Sequence, residues 1–309
     1  MSSIAIIGNF GPAFSTENEL VWTLETRLGH RVTKLQEDKV SASDVISGCR
    51  DHAAQLLIYV HTHGWDVQGD LHWMLDQLRA SEIKTCSFHL DRFWGLNVLD
   101  KREDRIGTHA FWKTDTIFTA DGGNDEKFRE RGINHVWMQP AVVERDCLFG
   151  RPSLQFNSPI AFTGADGYHP EYPFRSLLVN RLREIYRTNF RVYQGIRQQA
   201  LNDLYASVRV LVGDSCFAGA ANYWSDRVPE TIGRGGFLIY PRTPGLDIPG
   251  LITYEPQNID DLIKKINYFI DDDHQSERTK LRNEAHEFVK THHTYTQRMQ
   301  TLLEVMGVK

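Results

Sequence analysis

The sequence predicts an α/β protein built from two domains. Three observations carry this. Short apolar runs alternate with amphipathic helical patterns, the signature of parallel sheets covered by helices. The alternation starts afresh after the turn-rich stretch Phe149-Gly150-Arg151-Pro152-Ser153. The chain has 309 residues, and domains run to roughly 100–200 residues each.

The first strand is Ile4 to Ile7, closed by the turn Gly8-Asn9-Phe10-Gly11-Pro12. A helix follows with Leu20, Val21, Leu24 and Leu28 on one face, stopped at Gly29, where a C-terminal glycine belongs. Further strands are expected at Leu56–Val60, Cys86–His89, Thr116–Thr119 and Val136–Met138. The second half opens with Ile160–Phe162 and a helix carrying Leu177, Leu178, Leu182 and Ile185. Strands recur at Phe190–Tyr193, Val208–Val212 and Phe237–Tyr240. A helix after Asp260 buries Leu262, Ile263, Ile266, Phe269 and Ile270. The last helix shows Tyr295, Met299, Leu302, Leu303 and Met306 at helical spacing, so it must dock on a partner surface. The expected division is a first lobe at 1–150, a second at 151–285 and a terminal helix at 286–309 returning to the first lobe.

Composition narrows the function. Hydrophobic residues make up 41% and charged residues 24%, ordinary for a globular chain. A net charge of -5 supplies no overall basic field for nucleic acid or anionic membrane. The start, Met-Ser-Ser-Ile-Ala-Ile-Ile-Gly, lacks the basic region and long apolar run of a signal peptide, and no apolar run is long enough to span a membrane. The four cysteines are far apart and form no C-x-x-C, which reads as reduced thiols in a cytoplasmic protein.

Ligands of parallel sheets sit beyond the carboxyl ends of the strands, so the loops 8–14, 61–66, 89–94 and 120–124 are the places for chemistry. The densest stretch is Ser225-Asp226-Arg227-Val228-Pro229-Glu230-Thr231-Ile232-Gly233-Arg234-Gly235-Gly236. It reads as a short helix running into a buried strand. A helix start suits phosphate, and Arg227 adds a cationic fork. Glu230 falls on the same helical face and suits sugar hydroxyls. The alternative is that Arg227 and Glu230 form a surface ion pair.

Two other stretches read less specifically. Gly8-x-x-Gly11 is too short for a dinucleotide fingerprint, which excludes a nicotinamide dehydrogenase on that evidence. His61 and His63, at i and i+2, are a candidate metal pair without a third ligand; hydrogen bonding or a structural role is the alternative. Asp271-Asp272-Asp273 ends an amphipathic helix and reads as a solvated turn.

From Arg227 onward the chain resembles the CgeB-like, group 1-type glycosyltransferases of the GT-B fold. The resemblance is carried in order by Arg227-Val228-Pro229-Glu230, Gly235-Gly236-Phe237-Leu238-Ile239, Thr243-Pro244-Gly245-Leu246 and Ile252-Thr253-Tyr254. It continues through Asp260-Asp261-Leu262, Asp271-Asp272-Asp273, Arg278 and His293-Thr294-Tyr295. Upstream, Phe162-Thr163-Gly164 and Arg175 also fit, while the first 100 residues match only in overall pattern.

The resemblance implies two Rossmann-like lobes with a cleft between them and a C-terminal crossover helix. The second lobe would bind a nucleoside-diphosphate sugar, UDP-sugar among the candidates. The reaction would pass the sugar to an acceptor: a glycan, a protein side chain, a small molecule or a modified nucleic-acid base. It implies no cofactor beyond the donor and no metal. Glu230 matches the second glutamate of the family's E-x7-E element; the first falls on Asn222, which can hydrogen-bond but cannot act as a carboxylate. The implied donor contacts are Gly11, Gly164, Arg175, Tyr193, Asn222, Arg227, Glu230, Thr231 and Thr243. Gly164 is also readable as an ordinary turn glycine, Arg175 as a solvated arginine and Tyr193 as a core residue. Asp91, at a strand end among aromatic residues, is the expected catalytic base beside Glu230, with burial raising its pKa; an N-cap is the alternative. Trp65, Trp73, Phe93, Trp94, Phe111 and Trp112 suit a flat acceptor or a packed core. Two other functions share this pattern: a nucleotide- or sugar-binding protein with a degenerate site, which Asn222 favours, and a sugar-nucleotide epimerase of the same fold.

Overall fold

The computed structural model describes residues 1–60, 67–95, 102–167 and 172–309. The chain divides into two compact units, Met1–Gln139 with Tyr295–Lys309, and Pro140–Thr294.

The first unit holds a six-stranded parallel sheet: β1 (Ser3–Gly8), β2 (Arg31–Gln36), β3 (Leu56–Val60), β4 (Lys84–His89), β5 (Thr116–Thr119) and β6 (His135–Trp137). Their order is β2-β1-β3-β4-β5-β6. β1 and β3 are buried along their whole length, as continuous apolar runs in a sheet covered on both faces must be. β2 is the strand that the sequence reading misses. It lies at the edge, and Arg31, Lys34 and Gln36 break its apolar run, so only Leu35 is buried.

Polar side chains set where the helices begin. The hydroxyl of Ser15 caps the helix Thr16–Trp22, and Ser41 with Asp44 forms a capping box on Ala42–Asp51. A π-helical turn, Thr23–Arg27, extends the first helix before Gly29 takes φ +70° and ends the element.

The second unit holds β7 (Ile160–Thr163), β8 (Phe190–Tyr193), β9 (Val210–Val212), β10 (Leu238–Pro241) and β11 (Ile252–Tyr254), in the order β11-β10-β9-β7-β8, all parallel. Both sheets therefore reverse direction of growth at their first strand, between β1 and β3 and between β7 and β9. Such a reversal opens a crevice at the carboxyl ends of the two strands.

Two expectations shift. In the helix Pro173–Tyr186 the buried face is Leu178, Val179 and Leu182, while Leu177 is 59% exposed. The units also part at Gln139 and Tyr295 rather than near 150 and 286. Residues 140–150 are held in the second unit because Val142 N–H donates to the His293 carbonyl and Asn202 donates to the carbonyls of Asp146 and Leu148.

The helix Tyr295–Val305 belongs to the first unit and packs on the Thr23–Arg27 turn. Met299, Leu302 and Leu303 are buried, and Arg298 donates to the Gln139 carbonyl at 2.9 Å. Among the described residues no helix is long and apolar enough to cross a membrane. Cys49, Cys86 and Cys147 are buried free thiols, with burial pushing Cys49 and Cys147 up to about 12.

Leu302→Ala leaves a cavity under the last helix and is expected to lower stability by about 2–5 kcal/mol in a denaturant titration. A loss below about 1 kcal/mol would contradict the docking of this helix into a packed core.

Candidate functional site

The reversal point of the second sheet is occupied by charge. β7 ends at Thr163 and runs into Gly164; β9 ends at Val212 and runs through Gly213 to Asp214, whose side chain is 2% exposed. Two guanidinium groups converge on this carboxylate. Arg175, in the first turn of helix Pro173–Tyr186, donates from Nε to Oδ2 at 2.8 Å. Arg227, at the start of helix Arg227–Gly233, donates from Nη1 to Oδ1 at 3.1 Å. Arg227 also donates from Nε to the Thr163 carbonyl at 3.1 Å. It thus spans the ends of the two strands that flank the crevice.

Aromatic rings support both arginines. Arg175 lies 4.4 Å from the ring centre of Tyr172, and Arg227 4.9 Å from that of Phe162. Burial alone would lower the Arg175 pKa, but Asp214 outweighs it and the net shift is upward. Two positive groups against one carboxylate leave an excess positive charge. Among the described residues Arg227 Nη2 has no hydrogen-bond partner, and it points across Gly164. A Cβ at Gly164 would lie 2.9 Å from that nitrogen, and the residue takes φ +115°, which disfavours any side chain. Gly164, Arg175 and Arg227 therefore meet, as their sequence positions suggest.

Glu230 does not join them, nor does it pair with Arg227. It accepts from Arg234 Nε at 2.6 Å, and Arg234 also donates to Asp146 Oδ2 and to the Asn202 side-chain oxygen Oδ1. Burial pushes the Glu230 carboxyl up against the pull of Arg234. Burial would lower Arg234, but Glu230 and Asp146 drive its net shift upward. The expected face shared by Arg227 and Glu230 is replaced by an i, i+4 pair, because Arg227 is drawn to Asp214. The helix start expected to meet phosphate offers fewer N–H groups than a regular first turn would. Pro229 has no N–H, and the Val228 N–H is spent on the Ser225 carbonyl.

The other donor candidates separate. Asn222 sits at φ +57° with its main-chain N–H on the Pro244 carbonyl, and its Oδ1 fills the place a Cβ at Gly245 would need, 2.1 Å away. It is a turn residue packed on a glycine. Thr231 is buried under Gly236, whose Cβ would meet its Cγ2 at 2.7 Å, and Thr243 is buried with its hydroxyl on the Pro241 carbonyl. Tyr193 ends β8, half-buried, its ring edge-on to Phe156 and its carbonyl accepting from Gly164 N–H at 2.9 Å.

In the first unit, Gly11 is exposed in the loop after β1, held by the Asn9 side chain. Asp91 follows β4 with its side chain 51% exposed, 3.3 Å from Arg102 Nη1 and 3.6 Å from His89 Nε2. The burial expected of it is absent, and among the described residues it caps no helix. Among the described residues, the buried carboxylates near the carboxyl ends of these strands include Glu17, Glu37 and Asp121, which the sequence reading passes over. Glu17 is 1% exposed and packs on β1, where a Cβ at Gly8 would lie 2.5 Å from its Cγ. Its Oε1 has no hydrogen-bond partner among the described residues, and burial raises its pKa. Phe93, Trp94, Phe111 and Trp112 are buried and packed mostly edge-on with one another and with Phe128, on which Trp112 stacks, so core packing claims them. Trp73 is 45% exposed. His61, His63 and Trp65 lie outside the described residues. Among the described residues no group of three His, Cys, Asp or Glu could hold a metal ion. The Asp271–Asp273 run forms a surface turn, with Asp272 paired to Arg209 at 3.0 Å.

Asp214 was hidden because a lone aspartate after a strand has no periodic signal; only the topology reveals that it stands at the reversal point. Glu17 was hidden because a glutamate in a first helical turn reads as a surface residue.

Residues 158–304, just under half of the chain, match the family described as "Glycosyl transferase-like". This match contains Gly164, Arg175, Asp214, Arg227 and Glu230. No curated protein sequence matches the chain. Among solved structures, a glycosyltransferase from Rickettsia africae ESF-5 is similar with a TM-score of 0.65 at 10% identity, over 99% of this chain and 97% of that one. T4 phage BGT, in complex with its UDP-glucose substrate, gives 0.60 at 11% identity over 99% and 100%. A UDP-N-acetylglucosamine 2-epimerase described as putative, from Listeria monocytogenes, gives 0.57 at 10% identity over 98% and 95%. At these identities the likenesses establish the fold: two parallel-sheet α/β domains of the GT-B type.

Asp214→Ala leaves two largely buried guanidinium groups without their carboxylate and is expected to lower stability by about 3–5 kcal/mol in a denaturant titration. A change below about 1 kcal/mol would contradict the coupling. Glu17→Gln gives a pH signature. Burial holds the folded carboxyl above its ordinary value of 4.5, so the wild type loses stability as pH rises past that value. The Tm of Glu17→Gln relative to wild type should therefore increase from about pH 4 to about pH 8. A flat or falling difference would refute the raised carboxyl.

Proposed function

We propose that this protein transfers a sugar from a nucleoside-diphosphate sugar to an acceptor hydroxyl. The observation that carries this reading is the Arg175–Asp214–Arg227 cluster at the reversal point of the second sheet, beside Gly164 and inside the glycosyl transferase-like segment.

The diphosphate is the ligand that this chemistry suits. Arg227 Nη2 faces the glycine loop, where a phosphate oxygen meets main chain without a side chain in the way. As the glycosidic bond breaks, negative charge grows on the leaving phosphate. Guanidinium groups already fixed by Asp214 stabilise it without reorganising, which lowers the barrier rather than merely tightening binding. This arrangement supplies by side chains the charge neutralisation that a divalent metal supplies elsewhere, so the proposed reaction is metal-independent.

Glu230 is assigned to the donor's ribose or sugar hydroxyls, as a hydrogen-bond acceptor already oriented by Arg234. Asp91 is assigned as the base that takes the acceptor's proton. Its side chain is 51% exposed and 3.3 Å from Arg102 Nη1, open to an acceptor hydroxyl. The UDP-glucose of the T4 phage BGT structure makes uridine diphosphate sugars the first donors to try. The acceptor class is open among glycans, protein side chains, small molecules and modified bases, and the proposed compartment is the cytoplasm.

A second reading is favoured by Asn222, which stands where the resemblance expects a carboxylate, and by the engagement of Glu230 with Arg234. It is a nucleotide- or sugar-binding protein without transfer.

A thermal-shift screen over nucleotides and nucleoside-diphosphate sugars tests the donor site, since a ligand of the folded state must raise Tm. A shift with one nucleotide series supports the site; no shift with any at saturation refutes it. Arg227→Ala is expected to reduce kcat by about a hundredfold or more, and a near-normal rate would contradict its role. EDTA should leave turnover unchanged. Donor binding with neither transfer nor hydrolysis would select the second reading.

A further inference from the structure

The end of β5 carries a cluster that the donor and acceptor assignments leave unused. Thr119 closes β5, Asp121 follows it in the loop, His135 opens the neighbouring β6, and Asp125 begins the helix Asp125–Glu130. Asp121 Oδ2 is 2.6 Å from Thr119 Oγ1, which is 2.9 Å from His135 Nε2. His135 Nδ1 is 2.7 Å from Asp125 Oδ1. Thr119, Asp121 and the His135 side chain are fully buried, whereas the Asp125 side chain is 46% exposed. At the inner end Asp121 Oδ1 accepts the main-chain N–H groups of Phe93 and Trp94, both at 2.9 Å, and so tethers the loop after β4.

Three contacts in this chain each need one proton. Thr119 brings one, a neutral imidazole brings one, and two ionised carboxylates bring none. The chain is one proton short unless it holds an extra one. Water solvates Asp125, so the extra proton belongs to His135 or Asp121. With His135 charged, Nε2–H donates to Thr119 and the hydroxyl donates to the Asp121 carboxylate. With His135 neutral, the Asp121 acid donates to Thr119 and the hydroxyl donates to Nε2. Both arrangements satisfy every contact, both place a proton on Nδ1 facing Asp125, and they interconvert by turning one hydroxyl.

We propose that Asp121, Thr119, His135 and Asp125 hold one shared proton between the protein surface and the buried carboxyl that tethers the loop after β4, and that Asp121 and His135 titrate as a unit. Burial pushes Asp121 up against its hydrogen bonds from Thr119, Trp94 and Phe93, and burial pushes His135 down against Asp125 and Asp121. On the neighbouring helix and turn, Lys127 and Arg131 lie over the Trp94 ring, 5.0 and 4.5 Å from its centre. When the proton leaves at high pH, the contact to Asp125 opens, because that carboxylate can turn into water. The tether to Phe93 and Trp94 stays. The inference does not depend on the donor reading.

The test is a side-chain nitrogen spectrum of His135 combined with the carboxyl carbon shift of Asp121, on the intact labelled chain across neutral pH. The expected result is a protonated Nδ1, with either Nε2 or Asp121 protonated but not both. On raising the pH, both signals should move through one common midpoint. In Thr119→Val, which lacks the linking hydroxyl, they should move through two. An unprotonated Nδ1 near neutral pH, an ionised Asp121 beside a neutral ring, or separate midpoints in the wild type would overturn the proposal.

Discussion

The second unit is organised around a carboxylate that has almost no contact with water. Asp214 is buried at the one place in its sheet where the order of strands reverses, and there it holds two arginines. Remove it and each arginine loses its reason to point inward. Arg227 is drawn off the face it would share with Glu230, and this leaves Glu230 to Arg234. Gly164 is glycine because the space above it belongs to Arg227. The buried acid is thus a positioning residue, and the excess positive charge it leaves is what an anionic ligand would meet.

The first unit solves the matching problem differently. Its loops at the carboxyl ends carry carboxylates in two environments. Asp91 is exposed and paired with Arg102, while Glu17 and Asp121 are buried. An exposed acid is available to accept a proton, and a buried one is better suited to holding structure or storing a proton. Glu17, whose Oε1 has no hydrogen-bond partner among the described residues, lies against β1 beside that sheet's own reversal point.

Much of the fold was legible in the sequence, because β1, β3, β7 and β9 are buried on both faces and leave unbroken apolar runs. β2 escaped because an edge strand with Arg31, Lys34 and Gln36 has no such run. The helix Pro173–Tyr186 was found, but its face was misread at Leu177, since adjacent leucines give the period no direction. In the site, Arg175, Gly164 and Arg227 were legible from the order of motifs. Asp214 was not, because its importance comes from strand order, a property of the whole sheet. Thr231 and Thr243, expected at the donor, are buried in the core, Thr243 with its hydroxyl on the Pro241 carbonyl, which residue type alone does not reveal.

The two arginines fixed by Asp214 are proposed to form a diphosphate site. The most direct measurement is a titration of the wild-type chain and of Arg175→Ala/Arg227→Ala with uridine diphosphate and with uridine. The diphosphate is expected to bind the wild type far more tightly than the nucleoside does, and this advantage is expected to vanish in the double variant. An advantage that survives loss of both guanidinium groups would place the phosphates elsewhere and contradict the account.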